Sequence, residues 1–293
     1  MMSTDRIRRT RVVVTGATGR LGRAVVRHFN DAGFSVTATD IRTADDEPHS
    51  IIQADLRDHG QALQLLDGAD VVIHLGNHAG IGDTPPQVVF NDNVSINENV
   101  FQGAAETSVH TIVFASTIQL IGSKPDRRTV INPPSRPAFP LHGHTTPQPS
   151  NVYALSKHIA EEMLRYYAER CGLSATALRL PLLHNYEAHF AIRAGNEHPD
   201  DIFEGFTGLS YADTARLFND VVRAELQGFN VFMAATPHRH VDADPQELGQ
   251  QFFPESEGLI VDLEPVTAAT GWTPEPKRWP LADSNEPHTG GQR

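Results

Sequence analysis

Arg11-Val12-Val13-Val14-Thr15-Gly16-Ala17-Thr18-Gly19-Arg20-Leu21-Gly22 stands near the start of a chain of 293 residues. Residues 11–15 are a short, largely β-branched run, the composition of a strand. Glycines at 16, 19 and 22 permit a tight turn, and residues 21–30 carry a helical pattern. Gly33 follows, where a helix C-terminus often places glycine. A strand that turns through glycines straight into a helix is the first half of a βαβ unit.

The same alternation continues outward. Residues 34–39 (FSVTAT) predict a second strand, 50–53 a third, 70–75 (DVVIHL) a fourth, 111–115 (TIVFA) a fifth and 175–180 a sixth. Helical segments fill the gaps near 57–66, 87–108 and 152–170. Strands separated by helices imply a parallel sheet covered on both faces. The expected fold class is therefore α/β, a doubly wound parallel sheet. Two segments depart from this rhythm. Residues 122–150 hold seven prolines (Pro125, Pro133, Pro134, Pro137, Pro140, Pro147 and Pro149), which forbid a regular helix or a central strand. Loops of that length in a compact domain are usually functional or disordered. From Pro181 the pattern becomes irregular, with a helix near 212–226, a short strand near 231–233 and a frayed tail after Trp279.

Hydrophobic residues make up 39% and charged residues 20%, an ordinary globular balance. No apolar run approaches the ~18–20 residues needed to span a bilayer. Residues 1–11 are polar and basic and lack the apolar centre of a secretory signal. The single cysteine, Cys171, excludes an internal disulfide framework and a Cys-rich zinc site. A soluble cytoplasmic protein with no membrane partner is expected. The net charge of −12 repels phosphate backbones, so nucleic acid is not an expected partner. Arg6, Arg8, Arg9 and Arg11 form a basic cluster that reads as a solvated start. His142 and His144 lie two apart, as do His238 and His240, but neither pair has a Cys or carboxylate at a ligand spacing. They read as solvated loop residues, and no metal is expected.

The glycine turn carries chemistry as well as shape. Gly16, Gly19 and Gly22 let the backbone approach a pyrophosphate and let helix and sheet pack closely. The helix start at Arg20 and Leu21 offers unpaired N–H groups and a positive dipole end to phosphates. That is a Rossmann-type dinucleotide site. Asp40, just past the second strand, is placed to bind the adenosine ribose hydroxyls. Its carboxylate, with Asp45, Asp46 and Glu47 nearby, disfavours the 2′-phosphate of NADP, whereas Arg42 pulls the other way. NAD is the expected cofactor. In Ala54-Asp55-Leu56, Asp55 and Leu56 are placed to meet the adenine, and Asp55 also fits a helix N-cap.

These residues, with Tyr153-Ala154-Leu155-Ser156-Lys157, resemble the extended short-chain dehydrogenase/reductase family in its NAD-dependent epimerase/dehydratase branch. The likeness runs through most of the chain. It includes the TGATGRLG turn, the QADLRD stretch, VIHLG at 72–76, Asn93-Val94, FASTIQLIG at 114–122 and YALSK. Weaker echoes are Arg179-Leu180-Pro181, Tyr211-Ala212-Asp213 and Thr270-Gly271-Trp272-Thr273-Pro274. Tyrosine and lysine four apart share one helix face. A lysine cation beside a phenol favours the phenolate, which then exchanges a proton with substrate. The resemblance further implies that Lys157 binds the nicotinamide ribose and that Thr117 holds the substrate oxygen. By the same resemblance Leu75 and Gly76 line the cofactor cleft and Asn93 braces the sheet near it. It also implies a homodimer through a bundle of helices 87–108 and 152–170.

The substrate is less marked. Leu182-Leu183-His184-Asn185-Tyr186 lacks the Tyr-Gly-Pro ending common among the family's sugar-nucleotide epimerases, and only about thirty residues separate it from Asp213. The family's uronate dehydrogenases, which oxidise free sugar acids, are similarly compact there. The long Pro-rich segment is another place for substrate contacts. Ser116, His184, His189 and Arg193 are further candidates, because ligands bind beyond the carboxyl ends of parallel strands. An arginine at 193 suits a carboxylate substrate or a solvated surface equally. We therefore expect residues 1–180 to form the dinucleotide-binding domain with the Tyr/Lys pair. Residues 181–293 are expected to form a small substrate-binding region, with 209–235 returning to the core. The expected activity is that of an NAD-dependent oxidoreductase or epimerase acting on a hydroxyl of a sugar, sugar acid or sugar nucleotide. The alternatives are an NADP-dependent carbonyl reductase of the same family and a non-catalytic dinucleotide-sensing regulator; proteins of the latter kind commonly lack the tyrosine or the lysine.

Overall fold

A short helix α1 (Thr4–Arg9) leads into β1 (Arg11–Thr15), and the glycine turn carries the chain into α2 (Arg20–Asp31). Then come β2 (Ser35–Asp40), β3 (Ile51–Gln53), α3 (His59–Leu66), β4 (Val71–His74) and α4 (Pro86–Glu106). β5 (Thr111–Thr117), α5 (Val152–Cys171) and β6 (Ser174–Leu180) complete the alternation. Beyond them lie β7 (Leu182–His184), α6 (Pro199–Phe203), β8 (Thr207–Ser210) and α7 (Tyr211–Ala224). β9 (Phe229–Met233), β10 (Thr236–Pro237), α8 (Pro245–Phe252) and α9 (Glu264–Thr270) follow. The structure is a computed structural model that describes residues 2–43, 50–80, 82–126, 131–132, 134–185, 192, 195–237, 243–256 and 259–275.

Seven strands pair in parallel in the order β3-β2-β1-β4-β5-β6-β9. The α/β doubly wound reading therefore holds. Strand order reverses at β1, so the chain leaves β1 and β4 in opposite directions and a crevice opens at their carboxyl ends. Alternation along β1 builds two cores. Val12 and Val14 face a cluster with Val25 and Phe29 of α2 and Phe218 of α7, while Val13 faces Leu66, Phe101 and Leu164 of α3, α4 and α5. Among the described residues no helix is long and apolar enough to cross a membrane.

The basic start is not merely solvated. Ser3 caps α1, Ile7 is buried beneath it, and Arg6 pairs with Glu225. The region after β6 is also more regular than the sequence pattern suggests. β10, β8 and β7 form a second sheet, and a third core gathers Phe139, Leu141, Phe206, Phe253 and Ile260. The Pro-rich segment is thus part of a core: Leu141 pairs with Val261, and Arg136 stacks 4.4 Å from the Phe253 ring centroid. The tail after Trp279 lies outside the described residues.

Gly143 fixes where that segment crosses the main sheet. A Cβ there would sit 2.1 Å from the Val231 carbonyl oxygen of β9, so only glycine fits. Overpacking of this kind costs about 1–3 kcal/mol. Gly143→Ala is expected to lower Tm by roughly 3–10 °C in thermal unfolding; an unchanged Tm would mean that the segment does not press on β9.

Candidate active site

The crevice is a cleft of ≈ 830 Å³ along the carboxyl ends of the strands. At one end the glycine turn meets the start of α2. A Cβ on Gly22 would lie 2.1 Å from the Gly16 carbonyl oxygen, so the turn can close only around glycine. Gly16, Gly19, Arg20, Leu21 and Gly22 all line the cleft. The N-cap of α2 is Gly19, which has no side chain to satisfy the first N–H groups, and they remain available to an anion. Asp40 is 8% exposed and is tied to this turn, its Oδ2 accepting from the Thr18 N–H at 3.0 Å. Its Oδ1 accepts from the Arg42 N–H at 3.1 Å, while the Arg42 side chain is 75% exposed. Leu56, Leu75 and Gly76 line the middle of the cleft. The glycine cradle, the open helix end and the fixed carboxylate fit a dinucleotide without a 2′-phosphate.

At the other end α5 begins at Asn151, whose side chain accepts from the Ala154 N–H, and presents Tyr153 and Lys157 one turn apart. Tyr153 is buried with its phenol beside the Thr117 hydroxyl at the end of β5. Lys157 Nζ donates to Asn77 Oδ1 and to the Ala115 carbonyl, both at 2.8 Å, and lies 4.5 Å from the Phe114 ring centroid. Burial pushes the lysine down to about 7, with Glu161 opposing the shift. Burial pushes the Tyr153 phenol up to about 12, with Thr117 opposing. In the free chain, then, desolvation outweighs the acidifying effect expected from the lysine, whose Nζ stands 5.9 Å from the Tyr153 ring centroid.

Residues 12–195 match the model of the NAD dependent epimerase/dehydratase family. The chain belongs to that family. An NAD-dependent glucose-6-phosphate dehydrogenase of Haloferax volcanii is 28% identical over 278 residues, covering 85% of this chain and 97% of that protein. The structure of uronate dehydrogenase from Agrobacterium tumefaciens matches with a TM-score of 0.64 at 21% identity, over 91% of this chain and 84% of that one. UDP-glucose 4-epimerase from Brucella ovis, in complex with NAD, matches with a TM-score of 0.68 at 18% identity, over 90% and 93%. The two structural matches speak to the fold.

Other candidate residues of this epimerase/dehydratase chain have contacts of their own. Ser116 lines the cleft beside Thr117, and its hydroxyl donates to Glu161 at 2.6 Å. Asn93 stands behind the cleft wall; its Oδ1 accepts from the His78 N–H at 2.8 Å and its Nδ2 donates to Ser156 at 3.0 Å, which locks the loop after β4 to α5. Asp55 is at the cleft but pairs with Arg57 at 2.7 Å, and the N-cap of α3 is Asp58. His184 is buried on β7 and is not among the cleft-lining residues. Arg193, His189, His238, His240, Asp45, Asp46 and Glu47 lie outside the described residues. Among those described, no group of three or more His, Cys, Asp or Glu could hold a metal ion.

Sequence reasoning missed Asn77, the partner of Lys157, and the His78–Asp92 pair, 3.0 Å apart at the rim. It also missed Lys124 and the buried Glu204, which face each other at 4.0 Å on the cleft wall. Asn77 and His78 directly follow VIHLG, so that motif pointed to them. Glu204 follows no motif.

Proposed function

We propose that the protein is an NAD-dependent dehydrogenase that oxidises a hydroxyl of a sugar or sugar acid. The observation that carries this is the meeting of Thr117, Tyr153 and Lys157 at one end of a cleft whose other end is the glycine turn and Asp40. When bound, NAD supplies the hydride acceptor and a positive charge beside the phenol. Thr117 Oγ1 orients the substrate oxygen, and Tyr153 Oη takes the hydroxyl proton. Lys157, with one N–H beyond those given to Asn77 and Ala115, would hold the ribose and bring a cation to the site. Lys124 and Glu204 offer a cation and a carboxylate to a polyhydroxylated substrate. The Haloferax volcanii relative, a sugar-phosphate dehydrogenase matched over nearly its whole length, supports this choice of reaction.

The test is absorbance at 340 nm with NAD and a panel of glucose 6-phosphate, galacturonate, glucuronate, arabinose and UDP-glucose. Accumulating NADH with one member of the panel is expected. Conversion of a UDP-sugar to its epimer without net NADH would replace the reading by that of an epimerase. Cofactor choice rests on Asp40. Asp40→Ala is expected to move the NADH-to-NADPH affinity ratio by tenfold or more toward NADPH, about 1.4 kcal/mol, in fluorescence titrations. An unchanged ratio would remove Asp40 as the discriminator.

The same reading includes a cytoplasmic homodimer built on α4 and α5. Val88, Leu155 and Tyr166 on those helices are 41%, 38% and 57% exposed, apolar side chains that a second copy would cover. We also divide the chain into a dinucleotide-binding unit over 1–180 and a smaller substrate-binding unit after it.

A further inference from the structure

Behind the cleft runs a line of polar side chains that packing does not require. Thr15 ends β1, His74 ends β4, Asn97 sits on α4, and all three are fully buried. Thr15 Oγ1 accepts from the Leu75 and Gly76 N–H groups, each at 3.0 Å, so its own proton goes to His74 Nδ1 at 2.7 Å. His74 must then carry its proton on Nε2, which donates to Asn97 Oδ1 at 2.9 Å. Burial holds this imidazole neutral, down to about 3. Asn77 Nδ2 donates to the same Asn97 oxygen at 2.9 Å, and Asn77 Oδ1 accepts from Lys157 at 2.8 Å.

Every direction in this line is fixed from its two ends. Turning Asn77 over would set its amide against the ammonium. Turning Asn97 over would set its amide against both His74 Nε2–H and the Asn77 amide. The orientation leaves Asn97 Nδ2 buried with no partner among the described residues, a costly arrangement. A chain that kept these residues only for packing would do better with an apolar side chain at 97.

We infer that His74 and Asn97 are positioning residues that hold the Asn77 carboxamide oxygen on Lys157 and thereby set the proton occupancy of that lysine. The inference deepens the proposed function, on which it rests for the role of Lys157. Burial already disfavours the ammonium form of this lysine, so losing one oriented acceptor disfavours it further. The other charged or titratable groups around it are Tyr153 and Glu161 on α5, with Glu161 paired to Arg179 of β6, and the His78–Asp92 pair beside Asn77. None of these changes in the variants below.

The chain has three lysines, Lys124, Lys157 and Lys277, so selective ¹³Cε-lysine labelling gives three NMR signals, assigned with Lys124→Arg and Lys277→Arg. The full-length protein without cofactor is titrated with pH. Asn97→Leu and His74→Phe are each expected to lower the Lys157 midpoint by about 0.5 or more in pH, with the other two lysines unmoved. Phenylalanine fits at 74, between the rings of Phe101 and Phe114. His74→Gln, which keeps an acceptor and a donor, is expected to restore most of the shift. Should one variant fold poorly, the other and Asn77→Ala report the same midpoint. Folded variants with an unmoved Lys157 midpoint overturn the inference, even if their Tm falls, because a merely structural line would do that. The titration needs no turnover, so its failure is separate from failure of the proposed reaction, which Tyr153→Phe reads.

Discussion

Tyr153→Phe is expected to lower turnover by about a thousandfold while leaving NADH affinity within roughly twofold of wild type. The ring is buried and packs along α5, and phenylalanine preserves that packing. Only the hydroxyl, which stands beside Thr117, is lost. Removing a buried phenol whose partner is another hydroxyl leaves no charge unpaired, so stability is expected to change little. The measurement is a pair of assays on the same preparation, NADH formation at 340 nm and NADH fluorescence titration. Turnover near the wild-type rate would place the proton acceptor elsewhere. Loss of both turnover and binding would mean that the ring, not its hydroxyl, shapes the site.

Arg179→Met is expected to produce the largest loss of stability of any single substitution named here. Arg179 of β6 and Glu161 of α5 form an ion pair at 2.8 Å with side chains 5% and 2% exposed. Arg179 also donates to the Thr145 carbonyl, tying the Pro-rich segment to the pair, and Ser116 donates to the same carboxylate. Removing the arginine strands a buried carboxylate, which costs about 3–5 kcal/mol. For a chain of this size that corresponds to a fall in Tm of roughly 6–20 °C. Arg179→Met combined with Glu161→Leu is expected to recover most of the loss, because a buried pair replaced by apolar groups is often neutral. Thermal unfolding of the single and double variants checks this. A double variant no more stable than the single one would show that the cost lies in the Thr145 contact, not in the stranded charge.

The main sheet was legible because its signals are local. RVVVT, the glycine turn and the helical pattern after it decide β1 and α2, and the observed strands fall within a residue or two of their expected limits. The second sheet was not legible, since β7, β8 and β10 are 3, 4 and 2 residues long and carry no period. α8 did carry a signal that was passed over: Asp244 and Glu247 form a capping box with Pro245 at its first position. At the site, spacing pointed to the glycines and Asp40, and the family resemblance pointed to Tyr153 and Lys157. It could not tell that burial raises the tyrosine and lowers the lysine, because desolvation depends on what the fold places around them. Nor could it link His74 to Lys157, whose connection runs through three separate elements. Nor could residue type and strand-end position foresee that the Ser116 hydroxyl donates to Glu161 or that His184 is buried on β7.

The most direct test of the account is the fluorescence titration of purified protein with NADH and with NADPH. Saturable enhancement with NADH, and clearly weaker binding of NADPH, is the expected result. No binding of either would contradict the assignment of the cleft between the glycine turn and Tyr153 as a dinucleotide site.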